Sequence, residues 1–268
     1  MSRMNDIILA LVARYGGDWK AVRAAISEKD TYDPDWLPTP ESMAGWEALC
    51  VTAPDYPAAL LRKNCPQIPF ALFAKGDPSK MPGKDALMLI PNPRERIGDR
   101  PAVDALIASL PRAGIPAVIL WREAGDGAGH ARAALDAYKG SGVPFAVVLP
   151  KSAKGRSKIA DEAAAGGGVA LTEALPWEGD SARSMDPTAG RIAASLADKG
   201  ALVLGGLVRS ATVVDAAYAL NAGLDVGCVA REIGDPEGGA CVSLIREGAA
   251  IVGSADDAEE LAYGEARR

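Results

Sequence analysis

The sequence is poor in the side chains that bind metals or form disulfides. It contains one histidine and four cysteines, and no two cysteines form a Cys-x-x-Cys pair. Zinc sites need several such ligands at short spacings, so the composition predicts no metal and no cofactor. We expect buried free thiols at Cys50, Cys65, Cys228 and Cys241.

Long apolar runs are also missing. No segment reaches the roughly 20 uninterrupted apolar residues that span a membrane. The first residues lack the basic head, apolar stretch and cleavage site of a signal peptide. We therefore expect a cytoplasmic protein that has no membrane partner.

Positive charge is not in excess, because 29 Lys and Arg face 35 Asp and Glu, which gives a formal net charge of −6. Proteins that coat nucleic acid non-specifically rely on excess cations, so any such contact must come from a local basic patch. Aromatic residues for base stacking are few. The nearest candidates to the basic segments, Trp121 and Tyr138, are equally compatible with core packing.

The first 40 residues differ in pattern from the rest. Apolar residues recur at helical spacing over residues 7–15 and 19–27, which predicts two short helices. A stretch rich in Pro and Asp follows them. We therefore divide the chain into an N-terminal helical unit, residues 1–40, and a main domain, residues 41–268.

The main domain alternates short apolar runs with longer amphipathic stretches. The runs do not alternate polar with apolar residues, so they predict strands that are covered on both faces. The predicted fold class is α/β, a Rossmann-like parallel sheet of at least five strands with helices on both faces. The predicted strands are 70–74, 86–90, 117–121, 145–149, 169–171, 201–204, 226–229 and 250–252. The predicted helices are 102–113, 128–138, 158–165, 189–198, 212–222 and 256–262.

Ligands of such sheets bind at the carboxyl ends of the strands. One charged segment follows the predicted strand 145–149 and opens onto a helix. Its four cations are Lys151, Lys154, Arg156 and Lys158. Convergent cations and the N–H groups of a helix start form an anion site, for phosphates especially. The alternative is a solvated loop whose cations contact nothing.

A second charged segment, residues 91–100, carries three arginines, Arg94 among them. Glu95 and Asp99 offset much of that charge, which favours surface ion pairs. Neither segment matches a Gly-x-Gly-x-x-Gly or Walker A loop, which excludes the usual dinucleotide and ATP sites.

His130 follows Asp126 by four residues, so the two side chains can share a helix face. An imidazole oriented by Asp can act as a base, but no Gly-x-Ser-x-Gly elbow supplies a nucleophile. We favour Asp126 as a helix cap and His130 as a hydrogen-bonded residue that organises the site. We expect no enzymatic activity.

Six segments form an ordered pattern. They contain, in order, Asp-Tyr-Pro-Ala-Ala-Leu, a proline-led strand that ends in Lys-Gly-Asp, Gly-Arg-Ile-Ala-Ala, a helix that begins Ser-Ala-Thr-Val-Val-Asp-Ala, Asp-Pro-Glu-Gly-Gly and Leu-Ile-Arg-Glu-Gly-Ala. Their order resembles that of the DNA-processing protein DprA family, also called Smf, over roughly residues 44–262. The segments lie at residues 55–60, 68–77, 190–196, 210–223, 235–239 and 244–249.

The resemblance implies a homodimer that binds single-stranded DNA in a basic pocket at the strand edge and delivers the recombinase RecA in recombination or natural transformation. Several pocket motifs depart from the family pattern. The family's Gly-Ser-Arg is replaced at residues 91–93, with Arg94 displaced by one and Gly98 in the expected place. Only Arg191 remains of its Arg-Asn-Arg, and Ser210 is the serine of its late helix.

Two further departures are Gly205, which replaces an acidic residue, and Ala230-Arg231, which replaces Pro-Gly. Losing small residues that let the backbone approach phosphate should reshape the pocket, and the cationic loop would compensate with point charges. The expected phosphate-binding residues are Lys151, Lys154, Arg156, Lys158, Arg94, Gly98, Arg191 and Ser210.

Two alternatives remain open. One is a Rossmann protein that binds a nucleotide or another phosphate ligand. The other is a degenerate DprA paralogue that has lost DNA binding and serves as an interaction scaffold.

Overall fold

The fold is built on one mixed sheet. The computed structural model describes residues 3–61, 65–122, 129–153, 155–178, 188–198, 200–232 and 234–264. The strands, numbered along the chain, are β1 Glu47–Cys50, β2 Ala71–Gly76, β3 Leu87–Ile90, β4 Ala117–Leu120, β5 Phe145–Leu149, β6 Val169–Thr172, β7 Gly200–Val203, β8 Asp225–Val229 and β9 Ala250–Val252. Their order across the sheet is β1-β2-β6-β5-β4-β3-β7-β8-β9.

Seven neighbouring strands, from β6 to β9 in the sheet order, are parallel. Every residue of β3, β4, β5 and β7 is buried. These mostly aliphatic runs are therefore covered on both faces, as non-alternating apolar strands require. The predicted Rossmann-like α/β fold, the prediction of at least five parallel strands and all eight predicted strands are confirmed.

One edge of the sheet is antiparallel. β2 pairs antiparallel with β6, and β1 pairs antiparallel with β2. Sequence pattern does not predict β1, which has only four residues, the first of them an exposed glutamate. An antiparallel edge on a mostly parallel sheet is common in α/β folds.

The helices agree with the periodicity of the sequence. They are α1 Arg3–Arg14, α2 Trp19–Glu28, α3 Pro40–Met43, α4 Pro101–Ser109, α5 His130–Tyr138, α6 Arg156–Ala165, α7 Thr188–Leu196, α8 Ala211–Asn221, α9 Gly239–Arg246 and α10 Ala255–Tyr263. The short α3 and the glycine-started α9 are not predicted from the sequence. Side-chain caps begin three helices: Asp18 accepts from the Ala21 N–H at 2.8 Å, Thr39 accepts from the Ser42 N–H at 3.2 Å, and Ser254 forms a capping box with Asp257.

The N-terminal helix α1 packs on the antiparallel edge of the sheet. Its side chains Ile8, Leu9, Leu11 and Val12 belong to the same buried apolar cluster as those of β1 and β2. The division of the chain at residue 40 stays a prediction. An unfolding curve of residues 41–268, expressed alone, tests this division. A stable domain would support it, and loss of folding would contradict it.

The four cysteines are free and buried, so the prediction of buried thiols is confirmed. Among the described helices none has the length and apolar character to cross a membrane. The described residues also hold no group of three or more His, Cys, Asp or Glu side chains that could bind a metal ion.

Candidate functional site

The strand order reverses beside β3. From there the chain continues through β4, β5 and β6 in one direction, and through β7, β8 and β9 in the other. Parallel sheets bind ligands in the crevice at the carboxyl ends of strands at such a reversal. The loops after β3, β7 and β8 meet there with the start of α5. We call seven residues at this meeting point the crevice cluster: Arg94, Glu95, Arg100, His130, Arg231, Asp235 and Glu237.

The centre of the crevice cluster is a buried ion pair between Glu95 and Arg231. The two Nη atoms of Arg231 donate to the two carboxylate oxygens of Glu95, each at 2.7 Å. The side chains are 6% and 3% exposed, so the pair is shielded from water. Burial raises the pKa of Glu95, but the hydrogen bonds and charge of Arg231 outweigh burial and lower that pKa below its ordinary value. Glu95 is therefore ionised at neutral pH.

Other arginines extend this pair. Arg100 lies 3.2 Å from Glu95 through Nε and 2.8 Å from Asp235 through Nη2. Arg231 lies 3.5 Å from the same Asp235 oxygen. Two guanidinium groups and two carboxylates thus form a charge-balanced network inside the crevice.

Arg94 belongs to a second pair at the crevice mouth. Its Nε lies 2.9 Å from Glu237, whose other oxygen accepts from the Asn92 amide at 3.2 Å. The Arg94 side chain is still 60% exposed. Arg94 can therefore keep contact with Glu237 and present charge to solvent.

His130 is the first residue of α5 and is fully buried, with Nε2 at 3.7 Å from a Glu95 oxygen. A backbone bridge between Arg96 and Gly129 holds the two loops together at this point. Within the described residues neither imidazole nitrogen has a hydrogen-bond partner, so the predicted hydrogen-bonded imidazole is not seen. Burial lowers the pKa of His130, which leaves the ring neutral at pH 7. Asp126 lies outside the described residues.

Gly205 makes room for Arg231. Its φ is +139°, and a Cβ at this position would collide with the Nη2 of Arg231. That nitrogen also donates to the Leu204 carbonyl. Two departures from the family pattern, Gly205 and Arg231, therefore fit each other sterically.

The other predicted residues of this region have local contacts. The Gly98 N–H donates to Asp104 at 2.7 Å. Ser210 precedes α8, but its hydroxyl donates to the Leu207 carbonyl at 2.7 Å and does not cap the helix.

The predicted cationic loop after β5 is more internal than its sequence indicates. Arg156 is buried, and its guanidinium donates to the carbonyls of Lys151 at 3.1 Å, Leu175 at 3.2 Å and Glu178 at 2.9 Å. The Lys151 ammonium donates to the Gly17 carbonyl at 3.3 Å. Lys158 is exposed on the first turn of α6, and Lys154 lies outside the described residues.

Arg191 is buried in α7 beside this loop. It donates to the Thr188 carbonyl at 2.9 Å and to Glu173, which follows β6, at 2.8 Å. The predicted residues thus fall into two groups. Lys151, Arg156 and Arg191 surround the ends of β5 and β6, whereas Arg94, Gly98, His130 and Ser210 surround the ends of β3 and β7.

Sequence reasoning missed a second buried ion pair. Arg122, directly after β4, binds both carboxylate oxygens of Asp215 in α8, at 3.0 and 2.8 Å. A Cβ at Gly190 in α7 would collide with that carboxylate, so the glycine allows the approach of the two helices. Trp121 and Tyr138 are buried and cannot stack on a ligand.

Exposed cations remain along the carboxyl edge of the sheet. Arg94 follows β3, Lys158 follows β5 and Arg209 follows β7. β5 and β7 are separated by β4 and β3, which corresponds to about 14 Å across the sheet. Arg209 is not predicted as a site residue from the sequence, because it stands alone among apolar and small residues and gives no charge-run signal.

Comparisons with known proteins agree with this architecture. The family model for DNA recombination-mediator protein A matches residues 47–262. The structure of DNA processing protein A from Streptococcus pneumoniae is similar with a TM-score of 0.69 and 21% identity, over 97% of this chain and 93% of that one. A DNA processing protein A from Helicobacter pylori, described with a unique single-stranded-DNA binding mode, is similar with a TM-score of 0.58 and 13% identity, over 80% of this chain and 94% of that one. No curated protein sequence matches.

Proposed function

The chain belongs to the DNA recombination-mediator protein A family, and on this premise we propose that it binds single-stranded DNA in DNA processing and recombination. The resemblance predicted from sequence motifs is thereby confirmed. The observation that supports DNA binding in this chain is the row of exposed cations, Arg94, Lys158 and Arg209, along the carboxyl edge of the sheet.

The chemistry of this edge suits a phosphodiester backbone. Lys and Arg side chains bind phosphates as charges and position a strand without reading its bases. Buried Trp121 and Tyr138 provide no stacking surface at these loops. The single-stranded-DNA binding described for the Helicobacter pylori relative favours a single strand as the ligand.

The proposal includes the cellular compartment and the protein partner. The protein acts in the cytoplasm without enzymatic activity and delivers the recombinase RecA to the bound single strand.

We expect an oligo(dT) strand to bind the protein with an affinity that falls steeply with salt. Each phosphate neutralised on a single strand contributes about 0.7 to the slope of log affinity against log salt, so three edge cations predict a slope of about −2. Fluorescence anisotropy across a salt series measures it. Absence of binding at low salt would favour the scaffold, and thermal stabilisation by a mononucleotide without oligonucleotide binding would favour the phosphate-ligand alternative.

The homodimer implied by the family resemblance is part of the proposal. Apolar side chains are exposed on the last elements of the sheet domain, at Val214 and Leu220 of α8, Val242 of α9 and Ile251 of β9. Exposed apolar patches commonly mark protein interfaces. We expect a dimer in sedimentation velocity at micromolar concentration and a shift to monomer for Ile251→Asp. A wild-type monomer would contradict the proposal.

A further inference from the structure

Glu95 is surrounded in the way that arginines surround a bound phosphate. Arg231 binds both of its oxygens at 2.7 Å, and Arg100 approaches one of them at 3.2 Å. The His130 ring lies 3.7 Å from the other. Paired guanidinium N–H groups match carboxylate and phosphate oxygens equally well, so one anion can replace the other on these donors.

The position of Glu95 is that of a ligand. Its donors come from separate loops, with Arg100 directly before α4 and Arg231 after β8, and they meet where the strand order reverses. Glu95 itself belongs to the loop between β3 and α4, whose residues 96–99 are exposed. Arg100 is 32% exposed, so this arginine can be reached from solvent along the loop, whereas Arg231 behind Glu95 is 3% exposed.

The charges in the crevice balance only while Glu95 is present. Arg231 and Arg100 share Asp235 as their other carboxylate partner, at 3.5 and 2.8 Å. Without Glu95, two guanidinium groups share one carboxylate, and the crevice carries one uncompensated positive charge. A buried charge of this kind requires an anion.

We propose that the crevice is a phosphate site closed by its own carboxylate: Glu95 occupies the position of a phosphate group, and a phosphate of the DNA backbone displaces it from Arg231 and Arg100. That the displacing phosphate belongs to DNA rests on the proposed function. The displaced carboxylate regains water, and the phosphate takes over its two guanidinium partners. Affinity is set by competition with Glu95, so the crevice opens only to a strand that the exposed edge cations already hold.

The test is Glu95→Gln in the full chain, which removes the competing charge and keeps the side-chain volume. We expect it to bind oligo(dT) about tenfold more tightly than the wild type, because the freed charge-assisted hydrogen bonds go to phosphate. Inorganic phosphate should also raise the melting temperature of this variant more than that of the wild type.

Three further variants make the result specific. Glu28→Gln removes the same charge from an exposed position on α2 and should leave both readouts unchanged. Glu95→Gln with Arg231→Gln removes the pair together and should lose the gain. Glu95→Asp keeps the charge but shortens the side chain, and it should give a smaller gain in the same direction if Glu95→Gln does not fold.

The outcomes separate this inference from the proposed function. If the wild type and the Glu95 variants show equal affinity for oligo(dT) and equal stabilisation by phosphate, the inference is overturned. It is also overturned if the gain in affinity persists in the variant that lacks Arg231. If no variant binds oligo(dT) but phosphate stabilises Glu95→Gln in an Arg231-dependent way, the closed phosphate site is supported and DNA binding is not.

Discussion

Asp215→Ala is expected to lower the free energy of unfolding by about 3–5 kcal/mol, because it leaves the guanidinium of Arg122 buried without its carboxylate. The two side chains are 9% and 1% exposed and are joined by two hydrogen bonds. Burial excludes the water that would solvate Arg122 in the variant. Urea denaturation of the full chain, followed by circular dichroism, measures the change.

Asp136→Ala is the matched control. Asp136 also pairs with a cation, Lys139 at 2.6 Å, but the two side chains are 48% and 34% exposed. Exposed pairs contribute at most about 1 kcal/mol, so this variant should unfold close to the wild type. A loss for Asp215→Ala no larger than that of Asp136→Ala would show that the Arg122 pair does not stabilise the fold.

The Asp215 pair also explains one departure from the family pattern. Glycine at position 190 replaces the asparagine of Arg-Asn-Arg. The carboxylate of Asp215 fills the space that a side chain at Gly190 would need. Residues in contact in this way couple energetically, so the glycine is interpretable only together with Asp215.

The sheet could be predicted because its signal is local. Each buried parallel strand is a continuous apolar run, and the helices between the strands have clear amphipathic spacing. β1 was missed because its pairing with β2 sets its position at the edge, and its four residues carry too little pattern. The antiparallel edge follows from strand order, which local sequence does not encode.

The site could be predicted only in part, because its ion pairs join residues that are far apart in the sequence. The charged segments after β3 and β5 are visible in the sequence, but the sequence predicts surface pairing for Glu95, which the fold instead buries against Arg231. Its partner Arg231 lies 136 residues further along the chain. Arg156 and Arg191 look solvent-exposed in sequence, yet the fold places both against carbonyl groups. A run of charged residues in the sequence does not show which partners those residues contact. The strand order determines which charged side chains lie close together in the fold.

The exposed edge cations allow a direct test of where DNA binds. We expect Lys158→Ala with Arg209→Ala to weaken oligo(dT) binding about 25-fold at 0.1 M salt and to flatten the slope of log affinity against log salt by about 1.4, since each lost contact accounts for about 0.7. Because these cations touch phosphates, the loss should be similar for all DNA sequences. Anisotropy titrations over a salt series measure both quantities.

Lys84→Ala with Arg112→Ala is the control for net charge. Both residues are exposed; Lys84 lies before β3 and Arg112 lies before β4, at the amino ends of these parallel strands. Their removal changes the net charge equally but should preserve the slope, because short-range contacts and not the total charge release counterions from the strand. An equal loss of affinity in both double variants would mean that net charge alone attracts the DNA. An unchanged slope for Lys158→Ala with Arg209→Ala would remove the carboxyl edge as the binding surface.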